Sequence, residues 1–198
     1  MKQEDKKLAE KVLNHLCQGA QIGGIRFGPV LQLLISIHDS NKKSLRGQIY
    51  LNLGSKWAVF DSLPAQLPEN ESDFAETTTE QNLQILCGIR EAEISRVELG
   101  NNSPHLLLHF TDGRILYVNG HHEMYECWDL GLGFNDPKET WTVVASPGDG
   151  IVVFAPEKFV QSPAPRSVIY EENDATMIKT VAINSKATII QRLEKSNS

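Results

Sequence analysis

The chain is short of three things, and each scarcity excludes a class of protein. It has three cysteines in 198 residues, an odd number too small for a disulfide framework and in keeping with a reducing compartment. No apolar run approaches the roughly 18 residues that a membrane helix needs. The first residues, Met1 to Lys11, carry charges where a signal peptide would be apolar. A cytoplasmic location and no membrane partner are therefore expected. Positive charge is scarce too: 19 Lys and Arg stand against 25 Asp and Glu, for a net charge of -6. A protein that neutralises a row of phosphates has the opposite balance, so no nucleic-acid partner is expected.

Catalytic signatures are equally thin. There is no Gly-x-Ser-x-Gly elbow for a nucleophilic serine. Gly131-Leu132-Gly133 and Gly148-Asp149-Gly150 lack the third glycine and the lysine of phosphate-binding loops and read as turns. No cofactor is expected. Cys17 and Cys87 each follow a leucine and read as small core residues, while Cys127 lies between Glu126 and Trp128, where a neighbouring acid opposes thiolate formation. One cluster concentrates metal-ligating types: His121, His122, Glu123 and Glu126, followed by Cys127. A zincin helix needs H-E-x-x-H, and here Glu126 holds the last position. In an extended chain adjacent histidines point to opposite faces. The expected role is a polar loop between strands, with a metal-dependent enzyme as the alternative.

What the chain does have is pattern. Leu8, Val12, Leu13 and Leu16 recur at helical spacing within Lys6 to Cys17, with Lys6, Lys7, Glu10 and Lys11 on other faces. Beyond Gly19, short segments rich in Val, Ile, Leu and aromatics alternate with turn residues every eight to twelve positions, a β cadence. Much of it occurs twice. Ile22 to Gly28 matches Ile94 to Gly100 in its apolar positions and final glycine, and each is preceded by Leu-Cys, at Leu16-Cys17 and Leu86-Cys87. A period-two strand then follows in each copy: Leu31, Leu33, Ile35 and Ile37, against Leu106, Leu108 and Phe110. The next strand is Gly47 to Leu51 in one copy and Gly113 to Val118 in the other, the latter entered through Asp112-Gly113. Each copy closes on two aromatics and an aspartate, Trp57 with Phe60-Asp61 and Tyr125 with Trp128-Asp129.

The predicted fold is mainly β, of α+β type: an N-terminal helix, two tandem antiparallel β-meanders and a β-rich C-terminal section. The helix and first meander occupy 1–63, an acidic linker 64–82, the second meander 83–136 and the last section 137–198, together forming one unit. In that last section Trp141 to Val144 and Ile151 to Phe154 flank a turn, and Ser167 to Tyr170, Met177 to Ile183 and Thr188 to Leu193 are further strand candidates. A short helix over Lys186 to Lys195 competes with the last of these. The linker reads as a solvated segment leading into a helical turn, with Glu69, Glu71, Asp73, Glu76 and Glu80 and no base.

Pro104 to Arg114, followed by Tyr125-Glu126-Cys127-Trp128-Asp129, resembles small bacterial uncharacterised-domain proteins of the kind found among immunity proteins of polymorphic-toxin and contact-dependent inhibition systems. The resemblance covers about 45 residues and rests on a Pro-x-Leu-x-Leu-x-Phe strand, an Asp-Gly turn and the aromatic pair. It implies stoichiometric binding of a protein, without catalysis. The acidic excess then points to one basic partner such as a toxin domain, steered by opposite charge. Glu69, Glu71, Asp73 and Glu76 would supply the charge, and Tyr125, Trp128 and Asp129 the anchoring part of the face. A protein that self-associates through open β edges is the remaining alternative.

Overall fold

The computed structural model describes residues 1–38, 41–42, 45–133, 140–160, 177–183 and 187–193. Helix α1 (Gln3–Cys17) opens the chain and buries Ala9, Val12, Leu13, Leu16 and Cys17, the stripe its spacing predicts. Four strands follow: β1 (Ile22–Arg26), β2 (Leu31–Ile35), β3 (Gln48–Leu53) and β4 (Trp57–Phe60). The order then repeats as α2 (Thr79–Gly88), β5 (Ile94–Leu99), β6 (Leu106–Phe110), β7 (Ile115–Val118) and β8 (Trp128–Gly133). Strands β9 (Thr142–Ser146) and β10 (Gly150–Phe154) form a hairpin, as do β11 (Met177–Ile183) and β12 (Ala187–Leu193). The C-terminal stretch weighed between helix and strand is thus a strand over 187–193. The candidate strand Ser167 to Tyr170 lies outside the described residues.

The fold is α+β and mainly β, but the two copies are not closed meanders lying in tandem. A six-stranded sheet runs β1-β2-β3-β8-β9-β10 and a four-stranded one runs β4-β7-β6-β5, all antiparallel. Each copy keeps three strands and gives the fourth to the other: β4 pairs with β7, and β8 with β3. Periodicity marks which residues face inward but carries no information on which neighbour a strand pairs with. The exchange also corrects the register of the closing motif. Trp57 pairs with Val118 and Trp128 with Leu53, the last residues of β7 and β3, so Trp57 and Trp128 are counterparts and Tyr125 is not.

The internal duplication is visible down to single residues. Both first strands carry a bulge at the same place, between Ile22 and Gly24 and between Ile94 and Arg96. The copies touch through an antiparallel bridge between Gln21 and Glu93. Gly19 N–H donates to the Ile94 carbonyl at 2.8 Å, and Glu91 N–H donates to the Ile22 carbonyl at 3.1 Å. Both donors have positive φ, 87° at Gly19 and 66° at Glu91, and both follow a helix end.

One core joins both sheets and α1, with Trp128 and Trp141 its largest buried side chains. Helix α1 lies along β5, β9 and β10. It also covers the open edge of β5: the Asn14 side chain accepts from Val97 N–H at 2.8 Å and donates to Val97 O at 2.7 Å, and Glu10 accepts from Leu99 N–H at 2.9 Å. An amide side chain thereby stands in for a neighbouring strand. The acidic segment is not a solvated linker throughout. Leu67 and Phe74 pack with Ala58, Phe60, Leu107, Ile115 and Tyr117 in a second, smaller cluster, and Tyr117 OH donates to Pro68 O. Cys87, expected in the core with Cys17, is exposed, because α2 buries only Leu86 in its length.

Candidate functional site

The acidic segment and the β7–β8 connection form one ridge. Asn70 and Glu69 N–H groups donate to the Asp73 carboxylate at 2.9 and 3.1 Å, which folds the segment into a single 3-10 turn, Glu71–Asp73, and holds that carboxyl below its ordinary range. Glu76 lies 4.0 Å from Lys56 on the surface. The ridge runs up to Tyr125, whose phenol is pushed up first by burial and then by the Glu71 charge. Beside it Met124 is 84% exposed and Tyr125 44%. Single exposed apolar residues are ordinary, but two neighbouring large ones on a loop rimmed by carboxylates are less so.

Two residues predicted for this face are elsewhere. Trp128 is 1% exposed and its indole N–H donates to Pro104 O at 2.8 Å inside the core, so no partner reaches it. Asp129 points out from the six-stranded sheet in a row of side chains joined by hydrogen bonds. Gln32 donates to Asn52 at 2.9 Å, and Asn52 donates to Asp129 at 2.6 Å. Burial pushes the Asp129 carboxyl up, against the hydrogen bonds of Asn52 and Tyr50. The sheet pairing of β8 explains both, because the strand turns Trp128 inward and Asp129 to the outer face.

The histidine cluster is split by its loop. His122 Nδ1 accepts from Met124 N–H at 3.0 Å and Tyr125 N–H at 3.3 Å, and its ring stacks on Tyr125. His121 turns the other way, with Nδ1 2.7 Å from Asp149 Oδ1. Glu123 and Glu126 are exposed. Among the described residues no three His, Cys, Asp or Glu side chains are grouped to hold a metal ion.

His121 and Asp149 line a cleft of about 780 Å³ with His105, Ser103, Tyr117 and Glu69 among its walls. The chain that carries its two histidines is tightly held. Asn119, fully buried, accepts from His121 N–H at 3.2 Å and donates to His121 O at 3.0 Å. Ser55 holds the Asn119 carbonyl at 2.5 Å. Gly120 lies against the Pro104 carbonyl so closely that any Cβ would overlap it, and its N–H donates to His105 Nδ1 at 3.0 Å. Asp149 has φ 60°, left-handed backbone that costs an ordinary residue about 1–2 kcal/mol. Burial alone would raise its carboxyl, but the hydrogen bonds from His121 and Ser103 outweigh that and hold it below the ordinary value. The Asp149 carboxylate accepts only, so the proton of a neutral His121 ring sits on Nδ1 and its acceptor is Nε2. His105 is the converse. Its Nδ1 accepts, so the proton of the neutral ring sits on Nε2, and burial, the largest cause, lowers its pKa.

Sequence reasoning missed His105, Ser103, Asn119 and the role of Asp149, since each acts through residues remote in the chain. The unequal loops of the two copies were the one available signal. The fold and its cleft define a duplicated, strand-exchanged α+β protein. No protein family, curated protein or solved structure matches the chain. No described helix is long and apolar enough to cross a membrane.

Proposed function

We propose that the chain is a protein-binding module, most concretely an immunity or inhibitor protein that covers the working surface of a basic bacterial toxin. The observation that carries this reading is the pairing of exposed Met124 and Tyr125 with the ridge of Glu69, Glu71, Asp73 and Glu76. Carboxylates at the rim steer a basic partner and raise its on-rate, while the apolar pair at the tip supplies contact area that slows dissociation. Inhibition by this route is stoichiometric and needs no chemistry at the interface. Trp128 and Asp129 have no part in it.

The experiment is capture of a partner from the native lysate, followed by binding kinetics of the purified pair. Reversing the four ridge charges to lysine lowers the association rate by about 10-fold or more at low salt, and the difference shrinks as salt rises. Tyr125→Ala with Met124→Ala acts mainly on dissociation, at about 2 kcal/mol. Association rates unchanged by the four reversals remove the ridge from the reading.

A further inference from the structure

The two copies of the fold act as controls for each other. Copy one joins its third and fourth strands through residues 54–56, whereas copy two uses 119–127 for the same connection. Likewise 27–30 joins the first two strands of copy one, against 100–105 in copy two. The longer loops are not required by the architecture, because copy one does without them. They carry His105 and His121, and they are pinned by a buried asparagine, by a glycine with no room for a side chain and by a left-handed aspartate supplied from the β9–β10 turn. Such investment in holding two polar rings is characteristic of a preorganised site.

We infer that the cleft is a hydrolytic site for small carboxylic esters, with His121 as general base and His105 as hydrogen-bond donor to the carbonyl oxygen. Both residues line one cavity, and in their neutral forms they are opposite tautomers: Asp149 on Nδ1 makes Nε2 of His121 the acceptor, and Gly120 N–H on Nδ1 makes Nε2 of His105 the donor. A cavity of about 780 Å³ accommodates a small molecule, and Leu67, Leu99 and Leu107 give it an apolar wall. In the reaction a water oxygen bonds to the ester carbon while its proton passes to His121 Nε2. The carbonyl electron pair moves onto oxygen, where His105 N–H holds it. Collapse of this intermediate breaks the carbon–alkoxide bond, and the alkoxide takes the proton back from His121, giving a carboxylic acid and an alcohol. Asp149 touches none of these atoms. It is a positioning residue that keeps His121 in the required tautomer.

The site works in the chain alone, so it is separable from the protein-binding reading. The test is hydrolysis of 4-nitrophenyl acetate by the full chain, with equimolar imidazole as reference. Saturable turnover above the reference is expected. His121→Ala and His121→Gln each remove it by at least about 100-fold, the second variant retaining a side-chain donor for Asp149. His105→Ala lowers kcat by about 100-fold. Asp149→Asn lowers kcat by roughly 100- to 10,000-fold with KM little changed, and long-range proton–nitrogen correlation spectra show His121 losing its Nδ1–H form. Cys87→Ser, which removes the exposed thiol as a competing nucleophile, leaves the rate unchanged. A rate no greater than that of imidazole, or one that survives His121→Gln in a folded protein, overturns the proposal.

Discussion

Gly19 and Glu91 occupy the same place in the two copies and adopt the same left-handed backbone, yet only one of them is a glycine. Replacing each by the other's type should therefore move stability in opposite directions. An ordinary residue in the left-handed region gives up about 1–2 kcal/mol relative to glycine, and glycine gives back part of that advantage, about 0.5–1 kcal/mol, through the greater freedom of its unfolded chain. Glu91→Gly thus gains about 0.5–1 kcal/mol net. The ion pair it removes, Arg90 to Glu91 at 3.1 Å, is exposed on both sides and contributes little. Gly19→Ala loses the same net of about 0.5–1 kcal/mol, and somewhat more because a Cβ there would lie 3.3 Å from the His38 ring. Urea denaturation followed by circular dichroism measures both, and melting temperatures should separate by roughly 2–4 °C per kcal/mol in a chain of this size. A loss of stability in Glu91→Gly, or a shift of the same sign in both variants, would refute the equivalence of the two positions.

Two further predictions concern titration and reactivity. Asp129 has a folded-state pKa raised by burial, so its contribution is most favourable below the unfolded carboxyl pKa and is lost as pH rises through the folded value. Asp129→Asn, which keeps an acceptor for Asn52, should then be more stable than the parent at neutral pH and lose that advantage in acid; an advantage that persists in acid would show that ionisation is not its source. A thiol reagent should label one cysteine in the native protein and three after unfolding, because Cys87 is exposed while Cys17 and Cys127 are buried. Burial raises both buried thiols, Cys127 to about 11. Labelling of two thiols at the rate of Cys87 in the native state would contradict the packing of α1 or of β8.

Local chemistry made several elements legible in advance. The apolar stripe of α1, the alternation in β2, β3 and β6, and the Asp112-Gly113 turn each depend on residues a few positions apart, and those interactions survive whatever surrounds them. The duplication was legible for the same reason. The limits are instructive at particular residues. Cys17 and Cys87 have the same local context, but one lies on the buried stripe of a long helix packed on two sheets and the other on a short helix that buries a single leucine.

The segment from Pro64 to Glu80 reads as solvent-facing by composition, and Leu67 and Phe74 carry too little signal alone to reveal that they cover a sheet face. Trp128 and Tyr125 look alike as aromatics beside acids, and only strand pairing decides that the first is core and the second surface. By itself, then, the sequence determined the helix, the strands, the repeat and the sign of the surface charge, all properties of neighbouring residues. Tertiary structure alone decided the exchange of fourth strands between copies, and with it the meeting of His105, His121 and Asp149. Pairing partners and cavities are set by residues far apart in the chain, whose mutual burial no local pattern encodes.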